Sequence, residues 1–249
     1  MTLWDADMPE PGARFNNGFA GDADAGWTTQ QRQQLFVPSD RAGEWVQVNE
    51  PSIRGDSFGE RVAEAERDFL EYVPAAEQTS SQTIRAAGGT YEIADGQDGE
   101  GGTAVDMDAR RTWAEMPDGD AETLIAWWRA RIGEPADSSA SDSSIVEALT
   151  DDATLALAPA DVRARLFRVL AGLDGSSVDS VHGDVTTIRF DWRTPWWSAW
   201  KLISIDTAHG AVVGITSSGP VKEGGASAEG IPDWAGRQTF DYTVVDSAP

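Results

Sequence analysis

Two pairs of adjacent tryptophans are the side chains whose type and spacing best suit a binding surface. They are Trp127–Trp128 and Trp196–Trp197, and Trp200 follows the second pair closely. An indole buries a large apolar area and still offers a polar N–H, which suits a lipid, a glycan or a partner peptide at a groove. We therefore predict all four paired residues to be ligand-binding. The alternative is that they fill a seam between helices and a sheet.

The chain has few of the side chains that nucleophilic catalysis or zinc binding would need. There is no cysteine, and the two histidines, His182 and His209, are each predicted on a separate turn. A zinc site or a histidine-based triad therefore lacks its side chains. Carboxylates are abundant, but no pair of them stands out. We predict no catalytic residue and no cofactor.

A glycine-rich segment at 95–102 places three carboxylates close together, as a calcium loop would. Such a loop needs oxygen ligands at alternate positions and a late bidentate glutamate. Gln97 and Gly99 occupy the alternate positions that follow Asp95. We predict a solvated turn here and no metal site.

The charge of the chain excludes two classes of partner. Its 19 lysines and arginines stand against 42 aspartates and glutamates, which gives a formal net charge of −23. Such a surface repels phosphate backbones and anionic lipid headgroups. We predict no nucleic-acid partner and no direct docking to headgroups. The acidity fits the composition of a GC-rich genome, and adaptation to high salt is the competing explanation.

Four segments have helical periodicity, at 58–73, 118–133, 145–149 and 159–175. The second has Asp118 or Asp120 as its candidate N-cap, and Gly175 closes the last. The last helix has an apolar stripe on one side. We expect the arginines on its other faces to be solvated, namely Arg163, Arg165 and Arg168.

The remaining elements are predicted strands. Hairpins are expected over 33–49 and 81–95, and five strands with short links follow at 176–183, 184–192, 199–206, 211–218 and 238–245. Short links imply antiparallel neighbours. Ile188, Phe190 and Trp192 share one face of their strand. In the next strand we expect Trp200 to point into the core.

These elements predict an α+β fold, in which helices pack on one face of a large, curved, half-barrel-like antiparallel sheet. Residues 1–26 are rich in glycine, proline, asparagine and aspartate, and they show no sustained period. We expect an irregular lead-in there. Residues 27–249 are predicted to form a single domain.

The run from Asp118 to Gly214 resembles an actinobacterial family of single-pass membrane proteins, often encoded beside extracytoplasmic-function sigma factors. The matching features are MPDGDAETLIAWWRAR, PADVRARLFRVLAGLDG and the strand pair closed by DTAHGAVVG. Upstream, QQLFVPSDRAGEWV is similar to the family's early hairpin. The resemblance implies an outward-facing domain, similar to the lipoprotein-carrier and sigma-regulator sensor fold, behind one membrane helix. No cytoplasmic tail or span is recognisable, so membrane attachment is expected only through an anchor that is not in this chain.

The resemblance and the element pattern together favour a non-catalytic, extracytoplasmic binding or sensor-like domain. We expect a hydrophobic small molecule or an envelope protein as its partner, held between the sheet and the helices. An acidic glycan-acting hydrolase and a purely structural cell-surface domain are the alternatives. A hydrolase requires two carboxyl groups about 5–9.5 Å apart in a cleft.

Overall fold

A computed structural model describes residues 1–15, 23–40, 42–72, 81–87, 112–132, 139–150, 158–193, 197–219, 221–222, 232 and 234–248. The strands are β1 (Thr2–Trp4), β2 (Ala25–Gln30), β3 (Gln33–Phe36), β4 (Glu44–Asn49), β5 (Ile53–Phe58), β6 (Gln82–Ala87), β7 (Ser176–His182), β8 (Val185–Arg193), β9 (Trp197–Asp206), β10 (Ala211–Ser217), β11 (Val221–Lys222) and β12 (Gly236–Thr239). The helices are α1 (Pro11–Arg14), α2 (Val62–Tyr72), α3 (Ala121–Ile132), α4 (Ser139–Thr150) and α5 (Ala160–Gly172). No helix among these residues is long and apolar enough to cross a membrane.

The predicted fold class is confirmed. The largest sheet is antiparallel, with strand order β12–β10–β9–β8–β7, and β11 pairs with β9 beside this path. Its covered face contributes Ile188, Phe190, Ile203, Ile205, Val212 and Ile215 to one apolar core. Leu124 of α3, Leu149 of α4 and Leu166 of α5 enter the same core from the other side. Helices therefore cover one face of the sheet.

The earlier strands form two smaller antiparallel sheets. One has the order β3–β4–β6, which confirms the predicted hairpin over 33–49 and joins it to β6. Residues 88–95, the second half of the other predicted hairpin, lie outside the described residues. Trp45 of β4 has no exposed surface and belongs to the same core as the large sheet. The indole of Trp45 therefore ties this small sheet to the large one.

The expectation of an irregular lead-in is wrong for residues 2–4 and 25–26. β1 pairs with β2, and β5 completes a three-stranded sheet that α2 covers. Trp4 is 2% exposed and packs in one cluster with Trp27 and Ala65. Because the partner of β1 lies more than 20 residues away, no local period could reveal it. The predicted boundary at 26/27 falls inside β2, and the single domain stays a prediction.

The predicted helix ends are confirmed only in part. The Asp120 carboxylate accepts a hydrogen bond of 3.0 Å from the Thr123 N–H, so Asp120 is the N-cap of α3. This bond also holds the pKa of Asp120 below its ordinary value. Gly175 does not close α5, which ends at Gly172 with the extended Leu173 as its C-cap; Gly175 takes its φ of 82° in the turn that follows. The helix α4 is longer than the expected helix at 145–149, because it begins at residue 139.

The sequence predicts that the arginines of α5 are solvated, but each of them donates a hydrogen bond to a main-chain carbonyl. Arg165 has only 13% of its side chain exposed, and its Nη1 donates to the Met116 carbonyl at 2.8 Å. Arg168 donates to the Gly119 carbonyl and Arg163 to the Ala158 carbonyl. Main-chain carbonyls in the segments between helices need donors, and guanidinium groups supply them. These arginines therefore fasten α5 to neighbouring segments.

The prediction that Trp200 points into the core is wrong. β9 presents Ile203 and Ile205 to the helices, while Trp200 is half-buried on the opposite face, where the Arg189 guanidinium lies 5.1 Å from its ring centre. The register explains this, because Ile203 pairs with the buried Ile188 of β8. Directly opposed residues of an antiparallel pair share a face.

The last predicted strand is shorter than expected. β12 ends at Thr239, and residues 240–245 are not part of a strand. The chain turns instead towards the core, where Phe240 packs and the Tyr242 hydroxyl donates to the Val212 carbonyl at 2.8 Å. Partial burial raises the pKa of Tyr242. Val244 is fully exposed.

Candidate functional site

The first tryptophan pair lies in α3 and divides between the core and its margin. Trp128 is 6% exposed, and Trp127 is half-buried and packs against the core. Their rings meet edge to face, with centres 5.3 Å apart. The Arg131 guanidinium lies 5.5 Å from the centre of the Trp127 ring. Trp127 alone of this pair has substantial surface for a ligand.

The second pair is only partly described. Trp196 lies outside the described residues. Trp197 is half-buried at the start of β9, where its backbone pairs with Lys222 of β11. The ligand-binding role of Trp127, Trp128, Trp196 and Trp197 stays a prediction.

The helices pack closely on the sheet where α4, the turn after α5 and β8 meet. A cavity of about 10 Å³ lies there, between α4, the turn after α5 and β8. That volume holds about one water molecule, whereas pockets for small molecules measure about 300–1,000 Å³. This part of the seam therefore offers no space for a hydrophobic ligand.

Three aspartates line the same small cavity, Asp142, Asp174 and Asp191. Two of them are occupied by arginines, since Asp142 pairs with Arg129 at 2.7 Å and Asp191 takes two hydrogen bonds from Arg189. The cavity has no room for a sugar ring. The described residues hold no group of three or more side chains suited to a metal ion. The carboxylates of residues 95–100 lie outside them.

A lysine lies on the apolar face of the sheet. Lys201 of β9 has 9% of its side chain exposed, and its Nζ lies 2.8 Å from Oε1 of Glu147 on α4. Burying an ammonium group is unfavourable unless it is paired. Glu147 is 63% exposed, so its carboxylate stays hydrated while it neutralises the lysine. The pair joins α4 to the sheet.

We expect Glu147→Gln to lower the free energy of unfolding by about 1–2 kcal/mol, because the buried ammonium loses this countercharge. Lys201→Met removes the charge and keeps an unbranched apolar chain, so its stability should stay within about 1 kcal/mol of the wild type or exceed it. Urea unfolding of both variants measures the difference. A greater loss in Lys201→Met than in Glu147→Gln would contradict this account.

His209 lies on a hairpin turn, as predicted, whereas His182 is the last residue of β7, directly before the turn at 183–184. The Asp206 carboxylate accepts hydrogen bonds from the N–H groups of Ala208 and His209, and Gly210 takes a φ of 60°. The His209 ring contacts Oδ2 of Asp206 at 2.8 Å. This side-chain hydrogen bond raises the pKa of His209 and lowers that of Asp206. His209 is exposed, so the pair is a surface turn.

The Asp206–His209 pair predicts a pH window. Because the pKa of His209 is raised in the folded protein, protonated His209 stabilises the turn below about pH 6.5, and this stabilisation is lost as the pH rises through the pKa of His209 in the folded protein. Because the pKa of Asp206 is lowered, ionised Asp206 stabilises the turn above about pH 4, and this stabilisation is lost as the pH falls through the pKa of Asp206 in the folded protein. In NMR titrations, Asp206→Asn should shift the His209 midpoint to lower pH. An unchanged His209 midpoint would show that the pair does not form.

The edge of the large sheet shows exposed apolar side chains that the sequence analysis did not single out. Val178 and Val181 of β7 are 66% and 61% exposed. Val178 lies opposite the buried Ile188, and Val181 lies opposite Thr186, whose own partner on β9 is Ile205. Both valines therefore lie on the covered side of the sheet but beyond its helices. We call Val178 and Val181 the edge valines.

The resemblance noted in the sequence stays an expectation. Comparisons of the chain with protein-family models, with curated proteins and with solved structures find no match.

Proposed function

We propose that this chain is a non-catalytic, extracytoplasmic binding domain of a sensor-like, membrane-anchored protein, and that its partner is another protein. The edge valines carry the proposal, because they extend the apolar side of the sheet to a surface that no described residue covers. Neighbouring apolar side chains that are left uncovered together mark an interaction surface, whereas single ones are ordinary, and the two edge valines lie on one side of the same strand. The outward location and the anchor rest on the family resemblance alone.

The close packing between α4 and β8 favours this version over a carrier of hydrophobic molecules. A carrier needs an internal space of several hundred Å³. The cavity between α4 and β8 measures about 10 Å³, and Val146, Leu173 and Phe190, which line it, are buried. A partner contacting the edge of the sheet needs no such space. The protein partner therefore fits the described packing better than a small hydrophobic ligand does.

The glycan-hydrolase alternative is less favoured by the same geometry. Of the aspartates that line the cavity, Asp142 and Asp191 each pair with an arginine. Each arginine occupies hydrogen-bonding positions of its carboxylate that a substrate or a catalytic water would need. This arrangement stabilises structure and gives no acid–base pair.

Site-specific crosslinking tests the proposal. A photoreactive phenylalanine analogue at position 178 of the full-length protein, in cells that express it natively, should give a discrete protein adduct. The same analogue at the exposed position 60, on the β1–β2–β5 side, is the control. We expect the adduct from position 178 only. Equal labelling from both positions, or no protein adduct from position 178, would contradict a protein partner at this edge.

A further inference from the structure

We propose that β7 is the docking strand of this domain and that it binds an extended, basic segment of a partner protein as an additional strand of the large sheet. The inference rests on the proposed function and specifies the partner's conformation and charge. It requires a free edge, an apolar surface beside that edge and a charge that selects the partner. The described residues provide all three.

The free edge is β7 itself. It ends the strand order of the large sheet and pairs with β8 on its inner side, and no strand among the described residues pairs with its outer side. An edge strand directs alternate N–H and C=O groups outward, and an added strand can satisfy them. The start of β7 is held in place, because the Ser176 hydroxyl donates to the Ala171 carbonyl at the end of α5. The docking strand is therefore ordered before a partner arrives.

The apolar surface is the edge valines. A β-bulge between Val178 and Ser180 shifts the register. Because of this extra residue, two valines that are three positions apart lie on the same side of the sheet. A partner strand with aliphatic side chains at alternate positions would pack against them and continue the apolar layer beyond Ile188 and Ile205. Burial of both pairs of side chains favours the complex.

The residues around the edge give it a negative charge. Asp179 lies within β7 and is exposed, Asp174 lies in the turn before the strand, and Asp184 lies in the turn after it. The whole chain carries a formal charge of −23. Lysine or arginine between the aliphatic positions of a partner strand would meet these carboxylates, whereas an acidic strand would be repelled.

This acidity also argues against a second copy of the chain as the occupant. Two β7 strands side by side would bring their Asp179 carboxylates together, and charges and bulges on edge strands are known obstacles to such self-pairing. The exposed tail at 241–248 carries Asp241 and Asp246, so its docking on another copy would also join like charges. A basic strand avoids both penalties.

A defined peptide tests the proposal directly. The probe is a capped peptide of alternating valine and lysine, seven residues long, and its control has the same sequence with every backbone nitrogen methylated, so that neither edge of the control can donate. Both have the same charge, but only the first can form a full β-ladder. We expect the unmethylated peptide to slow amide hydrogen exchange at residues 176–182 and the methylated one to bind at least about tenfold more weakly.

Variants of the protein assign the binding to the edge. Val178→Ser combined with Val181→Ser should weaken the peptide about tenfold, since the apolar contact is lost. Val244→Ser is the matched control, because this valine is fully exposed in the tail, and it should leave binding unchanged. Asp179→Lys should weaken the lysine peptide and improve the binding of a valine–glutamate peptide. Thermal unfolding of each variant shows whether it remains folded.

The outcomes separate this inference from the proposed function. A position-178 crosslink together with peptide binding that protects β7 supports both. A crosslink without strand-like protection, or equal binding of the methylated peptide, overturns strand addition and leaves a protein partner at the edge. Concentration-dependent dimers that disappear in the double valine variant would overturn the basic partner in favour of a second copy.

Discussion

Replacing Trp45 by alanine should lower the free energy of unfolding by about 3–5 kcal/mol, the range for truncating a large buried aromatic side chain. Trp45 has no exposed surface and lies in the same core as Leu166 and Ile203, although it belongs to a different sheet. The substitution therefore removes the fully buried contribution of the β3–β4–β6 sheet to this core and leaves the partly buried Leu35 and Val37. Urea unfolding followed by far-UV and near-UV circular dichroism measures both the loss and its cooperativity.

Trp27→Ala is the matched control for this experiment. Trp27 is 2% exposed but packs in a separate cluster with Trp4 and Ala65. If residues 27–249 unfold as one unit, both substitutions shift the same transition. If the β1–β2–β5 sheet unfolds independently, Trp27→Ala shifts only a separate transition. A loss of less than 1 kcal/mol in Trp45→Ala would show that the two sheets do not share a core.

The elements with local signals could be predicted from the sequence. The helix start at Asp120 and the turn from Asp206 to Gly210 depend on capping and positive φ, which are properties of a few neighbouring residues. The structure places both as predicted. Local chemistry determined these positions, so an isolated sequence was sufficient.

The orientation of β9 could not be read from its own residues. Its two faces carry Trp200 and Leu202 on one side and Ile203 and Ile205 on the other, and both sets are apolar. Pairing with Ile188 decides between them. Lys201 suggested that its face of the strand is exposed, but the face is buried, and an ion pair with Glu147 of α4 neutralises the buried lysine. Both decisive contacts are non-local.

The candidate binding surface also depends on non-local contacts that single residues do not reveal. The paired tryptophans were conspicuous by type, yet the structure places Trp128 in the core. The edge valines were inconspicuous because a bulge, rather than strict alternation, places Val178 and Val181 on one side. A bulge is invisible to a two-residue period. Their significance also depends on β7 being an edge, which is a property of the whole sheet.

Gly175→Ala should lower the free energy of unfolding by about 2–4 kcal/mol, because two unfavourable terms act together. Its φ of 82° disfavours any side chain. A Cβ at this position would also lie 2.5 Å from the Asp191 carbonyl oxygen of β8. Gly175 and Asp191 are already joined, since the Asp191 N–H donates to the Gly175 carbonyl at 3.2 Å. Relief of the clash would therefore separate the start of β7 from β8.

Gly183→Ala isolates the backbone term, since Gly183 takes a φ of 59° with no atom within 4 Å of a Cβ. It should cost about 1 kcal/mol, the price of the left-handed conformation alone. Chemical denaturation of both variants tests the difference, and equal losses would show that the Asp191 contact does not form. If the start of β7 moves, Gly175→Ala should also weaken the valine–lysine peptide, whereas Gly183→Ala should not. The same glycine would then connect the stability of the sheet to the geometry of its docking edge.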